Sequence, residues 1–298
     1  MRFGIMAMQI DALVPSGLTP EGLLASIANF DHTNLVHNLA SHGFKLIELG
    51  GDLVSFFPQS YSPGAIQNLA RLKSEMELRY TVHLPLWSVE PSTPLTPVRQ
   101  GSVQAIIETI RATQVLEPEI YVLHATGALA AEFYRMRIPE SARGIILRLF
   151  QAGAHQSLKT ILQETGLPSR QLAIETVEFP FELTLELADE LDLSICLDTG
   201  HVLVGFSGPI GLLEALSRCL PRLGEIHLHD GPWQGPEHRI GYGKDHRPLG
   251  TGDLDVSLLL DQLVISNFQG PIIFELNVLD ALASRDLIRK IRPGLDPI

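Results

Sequence analysis

Eight short apolar runs, each ending in polar or glycine-rich residues, alternate along this chain with helix-like stretches, and that alternation limits what it can become. The runs are Phe3 to Ala7, Lys45 to Leu49, Tyr80 to Leu84, Ile120 to His124, Leu172 to Thr176, Ser194 to Asp198, Glu225 to Asp230 and Ile272 to Asn277. Most intervals carry amphipathic stretches, among them Gly101 to Val115, Ile145 to Glu164 and Leu254 to Val264. Repeated strand–helix units impose parallel strands, because each crossover returns the chain to start the next strand in the same direction. Eight units predict an α/β fold closed as a (β/α)8 TIM barrel, with residues 1–298 as one domain. A doubly wound open sheet is the alternative. It would want a glycine-rich phosphate loop after the first strand, and Gln9 to Gly17 has no such pattern. The proline-rich stretch Pro85 to Pro97 follows a strand and reads as a long loop above the barrel.

In a barrel of this kind the chemistry collects at the C-terminal ends of the strands. Seven of the eight runs end in ligand-type residues: Glu48, His83, His124, Glu175, Asp198 with His201, His227-Leu228-His229-Asp230, and Glu275. Strand side chains alternate, so Glu225, His227 and His229 share one face while Ile226 and Leu228 share the other. The same rule sets Glu175 opposite Ile174 and Thr176, and Glu275 opposite Phe274 and Leu276. The apolar sets are expected to pack outward on the helices, which points the His, Asp and Glu set into the barrel mouth. Burying those carboxylates without cations would be very costly. Divalent metals resolve the cost, and mixed imidazole and carboxylate ligands suit Zn, Mn, Fe or Co. A lone strand histidine is more often a hydrogen-bonded core residue than a ligand; the joint pattern is what predicts a metal site.

Composition narrows the function classes. The balance of 22 Lys and Arg against 34 Asp and Glu gives a net charge of −12, which argues against a broad nucleic-acid backbone binder. The chain is 45% hydrophobic, enough for a large buried core. Its two cysteines, Cys196 and Cys219, support neither a disulfide scaffold nor a thiolate zinc site, and Cys196 reads as a buried free thiol. Neither a signal peptide nor an apolar run of about 20 residues is evident, so no membrane and a cytoplasmic location are expected. Pro248 to Asp253 reads as a turn with Asp253 opening a helix, with a phosphate loop as the alternative. His32, His37, His42, His155 and His238 read as ordinary surface or half-buried residues.

The motifs Asp198-Thr199-Gly200-His201, His227-Leu228-His229-Asp230, His246-Arg247-Pro248-Leu249-Gly250-Thr251-Gly252 and Glu275 resemble the xylose-isomerase-like barrel superfamily over nearly the whole chain. That superfamily includes sugar isomerases and epimerases and the endonuclease IV group. The isomerase branch implies one metal at Glu175, Asp198, His227 and Glu275. The endonuclease IV branch implies three: His83, His124 and Glu175; Glu175, Asp198, His227 and Glu275; and His201 and His246 with a nearby Asp. The chain departs from the second pattern in having Asp245 directly before His246, which leaves Asp230 or Asp245 as the third carboxylate. His229 stands where that group tends to have Asn.

Within the superfamily the chain as a whole looks most like the cobamide-remodelling phosphodiesterases, which cleave the nucleotide loop of a corrinoid. The loops Met6 to Leu18, Pro85-Leu86-Trp87 and Gly231-Pro232-Trp233 through Tyr242 are compatible with a large, partly apolar ligand. Trp87, Trp233 and His229 are the substrate-binding candidates; packing of the loops accounts for the two tryptophans equally well. The resemblance implies one to three divalent ions that activate water for attack on phosphorus. Glu175 and Glu275 would anchor the ions, and Glu175 could orient the nucleophile. Glu48 is a substrate-contact or supporting residue. The alternatives are a one-metal sugar or sugar-phosphate isomerase, with Glu175 and Glu275 as acid and base, and a DNA-repair enzyme using Arg135, Arg137 and Arg143 or Arg239, Lys244 and Arg247. A corrinoid- or sugar-binding barrel without turnover is the non-enzymatic reading. Oligomeric state is not legible in a single chain.

Overall fold

The computed structural model describes residues 1–6, 19, 21–22, 30–235 and 240–295. Eight parallel strands close into a barrel in chain order. They are β1 (Arg2–Met6), β2 (Leu46–Gly50), β3 (Arg79–His83), β4 (Tyr121–Leu123), β5 (Leu172–Glu175), β6 (Ser194–Asp198), β7 (Leu223–His227) and β8 (Pro271–Phe274). β1 pairs with both β2 and β8, which closes the ring. Each apolar run of the sequence holds a strand, but His124, Thr176, His229, Asp230 and Glu275 lie just past the strand ends. There the chain leaves the ladder to begin a loop.

The inward faces are layered. Leu46 packs with Met6 and Ile273, and Val122 packs with Ile120, Ala173 and Cys196, as two small interior clusters. Two residues further along their strands stand Glu48, Glu275, His124, Glu175 and Asp198. Period-two geometry therefore carries each strand from an apolar floor to a polar mouth. The alternate residues Ile47, Leu49, Ile174, Leu197, Ile226, Leu228, Phe274 and Leu276 belong to the main core against the helices. Each large apolar side chain buried there contributes about 1.5–3 kcal/mol.

A principal helix follows each strand: α1 (His32–Ser41), α2 (Pro63–Glu75), α3 (Thr96–Thr113), α4 (Glu140–Thr165), α5 (Phe181–Glu190), α6 (Leu212–Cys219), α7 (Val256–Ile265) and α8 (Val278–Ile291). α7 shows why they form: Val256, Leu259, Leu260 and Leu263 are buried at the spacing of one helical face. Its cap is Asp255, whose side chain accepts the Leu258 N–H, so Asp253 does not open the helix. α3 starts at Thr96 with Pro97 in its first turn, so the loop above the barrel ends at Leu95. Both cysteines are free and buried. His37 and His42 are exposed and His155 half-buried, whereas His32 is buried. No helix among the described residues is long and apolar enough to cross a membrane. Of the expected loop Met6 to Leu18, residues 7–18 lie outside the described residues, as do residues 236–239 with His238 and Arg239.

Candidate metal centre

Glu175 ends β5 and projects into the mouth, where its carboxylate meets four histidines. Oε2 lies 3.1 Å from His83 Nε2 and 2.8 Å from His124 Nε2. Oε1 lies 3.2 Å from His227 Nδ1 and 3.3 Å from His201 Nδ1. Two ligand groups share this carboxylate. In His83, His124 and Glu175, and in Glu175, Asp198, His227 and Glu275, the ligand atoms all lie within 4.8 Å of one another.

Ring tautomers suit both groups to a cation. His83 Nδ1 donates to the Leu84 carbonyl at 2.9 Å, so Nε2 is the nitrogen turned to Glu175 and the one that would be offered to an ion. His227 Nε2 faces Glu48 at 3.2 Å, which leaves Nδ1 facing Glu175. A hydrogen-bonded partner on the far nitrogen is how ligating histidines are usually oriented. His201 Nδ1 and Glu275 Oε2 are buried without a hydrogen-bond partner. Burial pushes the Glu175 carboxyl up, but the charges of His124 and His227 outweigh it and hold the group well below the usual range. Burial pushes His83 down, yet its bond to Glu175 raises it to about 9. Buried carboxylates thus draw protons onto their histidines, and a divalent cation would meet the same demand for positive charge.

A third group forms over β6 and β7. Asp245 Oδ2 lies 2.8 Å from His246 Nδ1 and 3.8 Å from His201 Nε2. His246 Nε2 lies 3.4 Å from Glu275 Oε2. Asp230, the other candidate carboxylate, is fully buried and already spent. Its Oδ1 accepts the N–H groups of Gly231 and Leu254, and its Oδ2 those of Gly250 and Gly252, at 2.8–3.0 Å. The structure therefore places Asp245, and not Asp230, beside the two histidines. The same bonds fill with a protein carboxylate the N–H groups that a phosphate loop at Pro248–Asp253 would offer.

Asp198 serves twice. Its Oδ1 accepts the His201 N–H at 2.7 Å and caps the short helix Thr199–Leu203. Its Oδ2 faces His229 Nε2 at 2.9 Å and His201 Nδ1 at 3.4 Å. His229 is fully buried, so it is closed to substrate in this structure. Glu48 is fully buried as well, beneath His227. Thr81 Oγ1 lies 3.3 Å from Glu48 and 3.4 Å from Glu225. Burial and the Glu48 charge push the Glu225 carboxyl well above its usual range, which keeps it protonated. Glu48 thus stands among the residues that support His227, with no face open to a substrate.

A cavity of about 290 Å³ opens beside the first and third groups, lined by Leu86, Trp87, His124, Glu178, His201 and Phe206 among others. Asp52, buried below it, accepts the N–H groups of Leu86 and Trp87 at 2.8 and 3.3 Å and sets the loop that carries the indole. Trp87 meets Phe56 edge-on at 5.7 Å, and Phe206 meets Tyr242 at 5.7 Å. Trp233 lies apart, in a groove with Leu203, Leu212 and Asp253. Glu178 bonds the Tyr242 hydroxyl and pairs with Arg135 at 3.4 Å. Glu178 and Asp52 are the site residues that sequence reasoning left unassigned. Asp245 was one of two open choices, and Glu178 stands three residues past Glu175 in the following loop.

The model of the xylose isomerase-like TIM barrel family matches residues 36–292. The uncharacterised protein MJ1311 of Methanocaldococcus jannaschii is 23% identical over 261 residues, covering 87% of this chain and 84% of that protein. Among solved structures, a D-tagatose 3-epimerase-like protein superposes with a TM-score of 0.70 at 20% identity, covering 98% of this chain and 97% of the other. The 3-keto-D-glucoside 4-epimerase YcjR of E. coli superposes with 0.67 at 17% identity, covering 98% and 99%. Endonuclease IV of Thermus thermophilus superposes with 0.64 at 18% identity, covering 99% and 100%. At such identities the superpositions establish the fold alone.

Proposed function

The chain belongs to the xylose isomerase-like TIM barrel family, and on that premise we propose that it is a divalent-metal-dependent phosphodiester hydrolase that cleaves the nucleotide loop of a cobamide. One observation carries the reading. The histidines His83, His124, His201 and His246 extend the four-ligand group of Glu175, Asp198, His227 and Glu275 into a continuous three-part centre. A single ion has no use for that many donors. Two or three ions, when bound, supply the charge that neutralises phosphoryl oxygens and acidifies the attacking water. Mn, Fe, Co and Zn all suit these donors.

The chain's own groups then have assigned tasks. Glu175 faces the first and second groups with different oxygens and orients the nucleophile between them. Glu275 reaches both His227 and His246 and so joins the second group to the third. The mouth above them carries two aromatic pairs, Phe56–Trp87 and Phe206–Tyr242. Arg135 is engaged by Glu178 and Glu132. An aromatic rim over a phosphoester centre suits a substrate with a broad apolar body better than a duplex.

A second reading is a one-metal sugar epimerase. It is favoured by the group Glu175, Asp198, His227 and Glu275, which places a carboxylate from β5 and one just past β8 around a common point. The test is incubation of protein reconstituted separately with Mn, Fe, Co and Zn with a complete cobamide, followed by mass spectrometry. Hydrolysis yields two fragments whose masses sum to cobamide plus one water. Intact cobamide under every metal, with turnover of a ketose, would replace this reading by the second.

A further inference from the structure

We infer that His229 is a positioning residue that touches both the Asp198 and the His246 parts of the centre, and that its bond to the His246 backbone is what keeps the third ion's site in place. The inference rests on the multi-ion reading above. His229 lies two residues past the ligand His227 on the same face, and its ligand atoms lie within 4.8 Å of those of His201 and His246. Its ring nitrogens are nevertheless both engaged. The backbone N–H of His246 donates to Nδ1 at 2.9 Å. Nδ1 therefore presents a lone pair, and the proton of the neutral ring sits on Nε2. Nε2–H donates to Asp198 Oδ2 at 2.9 Å. No lone pair remains for an ion.

The surroundings hold the ring in that pose. A Cβ at Gly200 would lie 2.1 Å from His229 Cε1 and Nδ1, so the ring fits only because the residue after Thr199 is glycine. Thr199 Oγ1 donates to the His229 carbonyl at 2.7 Å and accepts its N–H at 3.1 Å. On the other side the His246 ring stacks on His229 at 4.2 Å and 10°. His246 has φ +54°, a left-handed backbone that non-glycine residues adopt rarely and keep only when neighbours dictate it. The bond to His229 Nδ1 is one such constraint, and it acts on the backbone that presents both Asp245 and His246.

Two substitutions separate the two arms. In H229N the amide oxygen takes the place of Nδ1, which keeps the His246 arm and loses the Asp198 arm. In H229Q the amide nitrogen takes the place of Nε2, which keeps the Asp198 arm and loses the His246 arm. Ions retained after dialysis against Mn or Zn are counted by elemental analysis, with folding checked by circular dichroism. The wild type is expected to hold three ions and H229N three. H229Q should hold two, with its weakest ion loosened about 10–100-fold, the usual cost of losing such a partner. Three ions in H229Q, or equal loss in both variants, would overturn the inference and make the ring mere packing. One ion in the wild type would instead remove the multi-ion reading, and this inference with it. Should either variant fail to fold, nitrogen-15 spectra of the metal-free wild type decide: a protonated Nε2 and a bare Nδ1 at His229 are required, and the reverse tautomer contradicts the inference.

Discussion

His124 and Glu175 come from adjacent strands, and the imidazole Nε2 stands 2.8 Å from the carboxylate Oε2 at the foot of the cavity. The His124 side chain is 19% exposed while that of Glu175 is 1% exposed, so the histidine is the member that can be removed with little loss of packing. His124→Ala should lower phosphodiester hydrolysis by about 100-fold or more and remove one bound ion while the protein stays folded. Full activity in this variant would rule out the multi-ion mechanism.

Asp230 is predicted to matter for stability and loop order rather than as a ligand. Asp230→Ala deprives four backbone N–H groups of their acceptor. At roughly 1–3 kcal/mol for each group left buried, and with Gly250 and Gly252 close to water, the expected loss is on the order of 3 kcal/mol. Urea denaturation measures it, and a change below about 1 kcal/mol would show that the clamp is dispensable. A Cβ at position 252 would lie 2.3 Å from Asp230 Oδ1, so Gly252→Ala should destabilise in the same direction.

His32 predicts a pH dependence away from the mouth. Its Nδ1 faces the Ser60 carbonyl at 3.2 Å, and its Nε2 is buried without a partner. Burial lowers its pKa from 6.5 to about 4. The folded state therefore favours the neutral ring, and the unfolded chain takes up the proton first. The stability this ring supports is full above about pH 6.5, falls as the pH drops towards 4, and is lost below that. A pKa difference of that size between folded and unfolded chain corresponds to a loss of roughly 3 kcal/mol. Denaturation midpoints at pH 7 and pH 4.5, compared between the wild type and His32→Gln, isolate it. Equal pH slopes in the two proteins would contradict the assignment.

The two tryptophans should separate in kinetics. Trp87 lines the cavity beside His124, whereas Trp233 lines a different groove. Trp87→Ala is expected to raise KM for a cobamide about 10-fold with little change in kcat, and Trp233→Ala to leave both near wild type. The opposite ranking would place the substrate over the other rim of the barrel.

The barrel and most of its mouth were legible because both follow from period-two alternation. Once His227 points inward, Glu225 must, and the same arithmetic orients Glu175 and Glu275. The strand register then brings them together, as where Asp198 pairs with His227. What was not legible depends on contacts distant in sequence. Asp230 and Asp245 both neighbour histidines in the chain, and only the N–H groups of residues 250–254 show that the first is spent. His32 reads as an ordinary surface or half-buried residue, yet Ser60 and Tyr61 close over it from beyond β2. Trp87 and Trp233 look alike in sequence, and only the direction of their loops tells them apart.

The most direct test of the central claim is to run the metal-loaded protein on a complete cobamide in water enriched in oxygen-18 and to locate the label by mass spectrometry. Hydrolysis at phosphorus predicts two fragments, with a single oxygen-18 on the phosphate group of the fragment that keeps it and none on the alcohol. Intact, unlabelled cobamide with every metal, in a sample that binds those metals and epimerises a ketose, would contradict it.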